Sequence, residues 1–548
     1  MSITIERATV LSFLILSILA IFILWFWLRI WYFRLVSKAR DRIQDRDGTK
    51  VSGASPRMLL GNIVDVYSAK NQLSAYHSFH QKFGDVVQIF WLWRSQLSIG
   101  DYAMARRILV NNQKNYQKFP PNSVLQKLFG ESILTFTKTN NDWKRHRLLL
   151  NEVFSKHQVV SFHHIFVSYS ELLASKWQGR ISQSRTKIEL DVYPELLALF
   201  LDIVGQAAIG KDFAALSGKA EGFLEDLKYI VYQSTQPAHQ FTTWWKYIPL
   251  ASNRQLARAF KTVDDVLYQL IRQRKEIPQP YSSNVLDLLL RAADDLEIEV
   301  QPLTDKEIRD NLLAIIANGH ETVATSVALS LYFLSQHPEK LARAQAEVDR
   351  IMEPEEGKLT ETGVAKLDYL HCVILETLRF SPPIAGLQRT SCDRDLLSGW
   401  SIPAAEVIGI TLKPLHRNPK YFGAQPEQFH PERYLDRTTP VPVGAATAIE
   451  AKNQCPMKQF LPSPHENNNS RTKASVHSPL TFGDGARKCL AEHFALYEMK
   501  VVLAIMLYRF DFQAVPDFVA ELELGKFGLF LTTFPKQGVE MVVSSRIH

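Results

Sequence analysis

Apolar and polar positions alternate in three different ways along this chain. From Ala8 to Leu28, ATVLSFLILSILAIFILWFWL carries no charge, close to the ~20 apolar residues that span a bilayer as a helix. Trp25, Trp27, Trp31 and Tyr32 gather at its far end, and Arg29, Arg34, Lys38, Arg40 and Arg42 follow. Aromatic rings favour the membrane–water interface, and positive charge behind the span places the N-terminus in the lumen and the remainder in the cytosol. A cleaved signal peptide would carry its charge in front of a shorter apolar core. Residues 1–35 are thus expected to form an uncleaved transmembrane anchor, and the polar, Gly/Ser/Pro-containing residues 36–58 a linker.

From residue 59 onward the 3.6-residue period dominates. It predicts helices over Asn71–Phe83, Ser170–Trp177, Asp191–Ile209, Arg254–Lys275 and Asp305–Ser335. Shorter β-like runs occupy Asp85–Ile99, Ser398–Leu412 and Phe527–Val543. The expected fold is mainly α with a small β region drawn from both ends of the chain. Residues 437–478 lack either period and are rich in Pro, Ser, Asn and Thr, the mark of a long, mobile insertion. The sequon at Asn468 falls there, on the cytosolic side of the expected topology, so it is read as unmodified.

Charge and cysteine content narrow the chemistry. A net charge of +7 suits an anionic membrane surface or an acidic partner. No Lys/Arg-rich motif of a nucleic-acid binder accompanies it. The four cysteines, Cys372, Cys392, Cys455 and Cys489, are too few for a disulfide scaffold and lack the paired spacing of a zinc site. Cys455, inside the insertion, reads as an incidental thiol. Metal chemistry here would have to use a single thiolate.

Cys489 is the candidate. In FGDGARKCLA, Gly483 and Gly485 permit a tight turn and close approach to a flat ligand. Cys489 is expected to open a helix reaching about Tyr508, where unpaired amide groups and the helix dipole favour a thiolate, with Arg487 as a cation beside it. Taken alone, these residues fit a buried structural cysteine at a helix start better than a ligand.

The surrounding motifs change that balance. The stretch resembles the haem-binding signature of the cytochromes P-450, Phe-x-x-Gly-x-Arg-x-Cys-x-Gly, at Phe482, Gly485, Arg487 and Cys489, with Ala491 replacing the final glycine. Upstream, in the family's order, lie Trp143 and Arg147 in WKRHR, Gly319, Glu321 and Thr322 in ANGHET, Glu376 and Arg379 in ETLR, Arg389 in LQRT and Arg433 in PERY. An isolated E-x-x-R pair is weak evidence, since such ion pairs are common on helix surfaces; the order of the set gives it weight. Asn318 stands where the family has Ala or Gly. His146 reads as a solvated helix residue, and His320 fills a variable position rather than that of an iron ligand.

The resemblance covers the chain from about residue 55 and implies the cytochrome P-450 fold over 59–548. It implies haem b held by Cys489 as axial thiolate, with Phe482, Gly485, Arg487, Trp143, Arg147 and Arg389 around the porphyrin. Glu376, Arg379 and Arg433 would brace the fold behind it. Gly319 would open a groove for dioxygen, and Glu321 and Thr322 would supply protons. The activity implied is a membrane-anchored monooxygenase of the endoplasmic reticulum, with electrons from NADPH through a cytochrome P-450 reductase and cytochrome b5 as a further donor. A lipophilic substrate (terpenoid, polyketide, steroid or fatty acid) and fungal secondary metabolism fit this style of sequence. Candidate substrate contacts are Lys118–Ser132, Ile315, Ala317, Ile384, Ala385 and Phe530. Two other readings stay open: a haem-thiolate isomerase or dehydratase without a reductase, and a non-catalytic membrane-tethered haem-binding protein. The Glu321–Thr322 pair argues against both.

Overall fold

A computed structural model describes residues 2–67, 72–184, 186–219, 222–234, 236, 248, 250–278, 284–291, 301–435, 478–516, 518, 522–524, 533–535 and 537–546. The 437–477 part of the insertion, with Cys455 and Asn468, lies outside them, as does Phe530.

The elements that matter for the site are, in chain order, α1 (Ser2–Arg40), β1 (Val86–Trp91), β2 (Arg94–Ile99), β3 (Tyr116–Lys118), α2 (Ser123–Phe129), α3 (Asn141–Val153), α4 (His163–Ser184), β4 (Lys187–Asp191), α5 (Val192–Ile209), α6 (Asp305–Gly319), α7 (Glu321–Ser335), α8 (Asp368–Phe380), β5 (Gly386–Ser391), β6 (Val407–Thr411), α9 (Glu492–Arg509), β7 (Phe510–Ala514) and β8 (Glu540–Ser545). One sheet runs β1-β2-β6-β5-β3, with β2 and β6 parallel and the other pairs antiparallel. A three-stranded sheet, β4-β8-β7, draws strands from the middle and the end of the chain. Helices α7 and α9 form the centre of the main core. Every residue of α7 from Val323 to Ser335 is buried, as is every residue of α9 from Glu498 to Tyr508. A helix apolar on all sides belongs at such a centre.

Three expectations need correction. The anchor helix runs past residue 35 to Arg40, with Tyr32 and Val36 buried against Phe90. The expected linker is packed, since Ile43 and Val51 sit in a core cluster with Leu97, Ile99 and Ile402. Within Lys118–Ser132, Val124, Leu125, Leu128 and Phe129 of α2 are packed into the main core rather than exposed on a surface segment. Polar spacing hid these few buried anchors.

The long helix expected over 305–335 is broken at His320, whose φ of −103° and ψ of −49° separate α6 from α7. Side chains around the break bond back to carbonyls four residues earlier: Asn318 Nδ2 to Ala314 (2.7 Å), His320 Nδ1 to Ile316 (3.0 Å) and Thr322 Oγ1 to Asn318 (3.1 Å). Such bonds compete with the backbone ladder and bend a helix.

Candidate active site

The loop before α9 is shaped by its glycines. Gly483 and Gly485 both have φ of +70°, and a Cβ on Gly485 would lie 2.0 Å from the Leu109 carbonyl oxygen. No other residue fits there. The Ala486 amide donates to Gln113 Oε1 (3.1 Å), and the Cys489 amide to the Phe482 carbonyl (2.7 Å). Cys489 does not open the helix as expected: α9 begins at Glu492, with Ala491 as its N-cap. The Ala491 amide nevertheless hydrogen-bonds the sulfur, and Arg147 and Lys488, rather than Arg487, are the cations that favour its thiolate. Burial works the other way and dominates, leaving the thiol above its ordinary range. Yet the Cys489 surface is exposed. A side chain whose own surface is open while protein surrounds it at longer range satisfies both.

Four cations converge beside this loop. Arg487 lies 4.3 Å over the Trp143 ring and donates to the Lys138 carbonyl (2.7 Å). Arg147 donates to the Lys488 carbonyl (2.9 Å), and Arg389 to that of Gln388 (2.8 Å). Burial, then Arg389 and Arg147, pushes Arg487 down to about 9, and burial pushes Arg389 down to about 10. Among the described residues, none of the three arginines has a carboxylate partner. Lys118, which the motifs did not single out, pairs in register with Arg389 across β3 and β5 and bonds the Leu134 carbonyl. Its ammonium is held well below the usual range by burial and by Arg487 and Arg389. Like charges opposite each other in a sheet are destabilising. The buried Trp143 Nε1 and Arg487 Nη1 have no hydrogen-bond partner among the described residues. Unpartnered donors and arginines without carboxylates are the complement of an anionic ligand, and two propionates on a flat porphyrin fit them.

Behind the loop the charged groups find partners within the chain. Glu376 and Arg379 are fully buried and form a two-bond pair (2.8 Å each), and Arg433 Nε joins Glu376 at 3.0 Å. The His430 amide also donates to Glu376 (2.7 Å). Remaining Arg379 donors reach the carbonyls of His416, Pro426 and Gln428. His416 Nε2 accepts from the Leu480 amide (2.9 Å), which leaves Nδ1 to donate to the Arg379 carbonyl (3.2 Å). Burial lowers this imidazole to about 3, so it stays neutral. The three motif residues thus meet and reach the cysteine loop through His416.

Glu321 and Thr322 open α7 at the helix break. Burial alone pushes the Glu321 carboxyl up to about 7. Among the described residues, no hydrogen bond or ion pair joins either to Cys489 or to the cations. At Gly319 a Cβ would lie 2.8 Å from Val204 Cγ2, so the missing side chain permits α6 to approach α5. His320 is lowered to about 4 by burial and is occupied with its own helix.

His146 corrects another reading. It is fully buried, with Nε2 3.1 Å from Glu307 Oε1 and Nδ1 3.0 Å from Asn311 Nδ2. Asn311 Oδ1 accepts from the Ile133 amide, which fixes Nδ2 toward the imidazole and makes Nε2 the protonated nitrogen. This ties α3, carrying Trp143 and Arg147, to α6. Its position two turns from the end of an apolar stripe, beside Leu149 and Leu150, was the available signal. Ile315, Ala317 and Ile384 are partly buried and Ala385 buried.

The cytochrome P450 family model matches residues 51–539. The chain belongs to the cytochrome P450 family. Curated relatives include cytochrome P450 97B2, chloroplastic, of Glycine max, 27% identical over 82% of this chain and 80% of that protein. Cytochrome P450 3A5 of Homo sapiens is 24% identical, covering 90% and 91%. Among solved structures, a cytochrome P450DA heme domain superposes with a TM-score of 0.73 at 20% identity, covering 91% of this chain and 98% of that one. The P450 fold is thereby shown, and with it a haem b cofactor carried on a cysteine thiolate. The protein is a P450 monooxygenase, preceded by an apolar helix long enough to cross a membrane.

Proposed function

We propose that this P450 oxygenates a lipophilic small molecule at a haem held by Cys489. The observation that carries the reading is the set of three arginines, Arg389 buried and Arg147 and Arg487 half-buried, that have no carboxylate partner among the described residues and lie beside an accessible thiol. Arg147, Arg389, Arg487 and Trp143, with Lys118, would hold the two propionates, and Phe482 and Gly485 would shape the loop under the ring. When bound, the haem supplies activation of dioxygen with two electrons. The chain's part is to orient substrate, exclude bulk water and manage protons.

Glu321 is suited to that last task because burial sets its carboxyl near neutrality, where a group can both give and regain a proton. The Thr322 hydroxyl, donating to the Asn318 carbonyl, has a fixed position one residue along. Asn318 uses its amide on Ala314, which favours a role in holding the helix break. Electrons would come from NADPH through a cytochrome P-450 reductase, with cytochrome b5 as a further donor. Residues 1–35 would anchor the protein once across the endoplasmic reticulum membrane, with a cytosolic catalytic domain over 59–548 bearing the 437–478 insertion. Partly buried Ile315, Ala317 and Ile384 support an apolar substrate such as a terpenoid or polyketide, and the insertion and overall style favour fungal secondary metabolism.

Cys489→Ala tests the ligand assignment: the red-shifted Soret band of thiolate-ligated ferrous haem with carbon monoxide should vanish, and its retention overturns the assignment. Thr322→Ala should bind haem and substrate while product per NADPH falls and hydrogen peroxide rises, since a positioned proton donor is typically worth ~10²–10⁴-fold. Unchanged product and peroxide yields would mean that protons take another path.

A further inference from the structure

Resting on the reading of Glu321 as a group that manages protons, we infer that Thr325 and Tyr193 are positioning residues that hold a water molecule against its carboxyl, between α7 and α5. Glu321 and Thr325 lie four residues apart, so they share one face of α7 a turn from each other. Tyr193 is in the first turn of α5, the helix packed along α7.

The Thr325 hydroxyl behaves unlike its neighbours. Thr322 donates to the Asn318 carbonyl (3.1 Å), Ser326 to that of Thr322 (2.8 Å) and Ser330 to that of Ser326 (2.8 Å). Each thus uses its proton one turn back along its own helix, the ordinary habit of a buried helical hydroxyl. Thr325 does not. It is completely buried, and its Oγ1 has no hydrogen-bond partner among the described residues. A valine would fill the same space without leaving a polar group unsatisfied, so the hydroxyl calls for a partner from outside the chain.

What faces it across the interface is polar. Burial, then the charge of Glu321, raises the Tyr193 phenol above its ordinary range, and the nearby Thr325 hydroxyl opposes this, as does no other group. Yet no direct hydrogen bond joins the two hydroxyls. Polar groups that face each other beyond bonding distance are commonly bridged by water. Burial acts on the Glu321 carboxyl with no charge or hydrogen bond of the described chain to offset it, and part of its surface stays open. Two hydroxyls and one carboxyl are the two to four polar partners that a buried water needs.

This arrangement lets the carboxyl recover a proton. When Glu321 has released its own, the water passes one to the carboxylate and takes another from solvent at the Tyr193 end, where Pro194 is exposed. Tyr193 keeps its proton and orients the water by donating to its oxygen. Thr325 accepts or donates as the water turns. Both act through Glu321.

The test follows the Glu321 carboxyl in the haem-loaded full chain by infrared spectroscopy. At pH 5, below the value of about 7 to which burial pushes it, the carboxyl gives a protonated C=O band, identified as the one missing in Glu321→Gln. If Glu321→Gln removes no such band, the site falls. Transfer to heavy water shifts the band as the proton exchanges. In Thr325→Val and in Tyr193→Phe exchange should slow about tenfold, the factor that one lost hydrogen bond carries. Thr325→Ser should exchange at the parental rate. Unchanged exchange in either of the first two variants overturns the water site, and so does Thr325→Ser behaving like Thr325→Val, which would make Thr325 a packing residue. The catalytic reading fails separately: peroxide per NADPH unchanged in Glu321→Gln would mean that the carboxyl does not serve the reaction, whatever its exchange rate. A haem spectrum recorded for each variant shows that the domain itself is intact.

Discussion

Two groups of charges, one buried and one half-buried, lie near the cysteine loop, and they are built on opposite rules. In the Glu376–Arg379–Arg433 group, the carboxylate is shared by two guanidiniums and spare donors find carbonyls. In the Arg147–Arg389–Arg487 group, guanidiniums face one another, Trp143 and Arg487 each leave a donor unused, and each arginine is pushed downward by burial. Depressed arginines do not lose their protons at neutral pH; the shift records a missing counter-charge. A chain that satisfies one group within itself and leaves the other open distinguishes its scaffold from its binding site.

That contrast can be broken most severely at Glu376. Glu376→Gln leaves two buried guanidiniums with a neutral partner, and breaking a buried pair from one side costs ~3–5 kcal/mol. Urea unfolding should show a loss of that order, with or without haem. Arg389→Met should instead reverse sign with loading. Without haem it relieves repulsion among the cations, and the thermal midpoint should rise. With haem it removes a charged hydrogen-bond donor worth ~1.5–3 kcal/mol, and affinity should drop roughly tenfold to a hundredfold by haem transfer to a competing apoprotein. The same sign in both states would show that Arg389 is structural. An effect that depends on pH is expected at Glu321. Its folded pKa lies above the unfolded one, so the folded chain holds the extra proton and stability falls as pH rises from about 4.5 to about 7. Glu321→Gln should melt higher than the parent at pH 8, with the difference closing toward pH 5. A gap independent of pH would mean that the carboxyl is not the group titrating.

Much of this was legible beforehand because local residue types carry it. Periodicity located α5 and α7, and the turn glycines at 483 and 485 are required by positive φ. The order of the charged motifs brought Glu376, Arg379 and Arg433 into one group. What escaped depends on partners distant in sequence. Lys118 joins the cations only through the register of β3 with β5, and His146 is buried only because α3 lies against α6. Tyr32 looked like the end of a span and Val36 like the start of a linker, and nothing local announces that Arg57 and Phe90 receive them.

The repulsion across β3 and β5 also bears on how much of this protein a cell can hold. The edge strand and its arginines are least favourable while the anionic ligand is missing, so completing the sheet and loading the cofactor are linked equilibria. Binding to the folded form then adds stability that grows with the logarithm of free ligand. When haem synthesis slows, the unloaded fraction should meet the proteolytic machinery more often, and enzyme abundance should track cofactor supply before any catalytic step is affected.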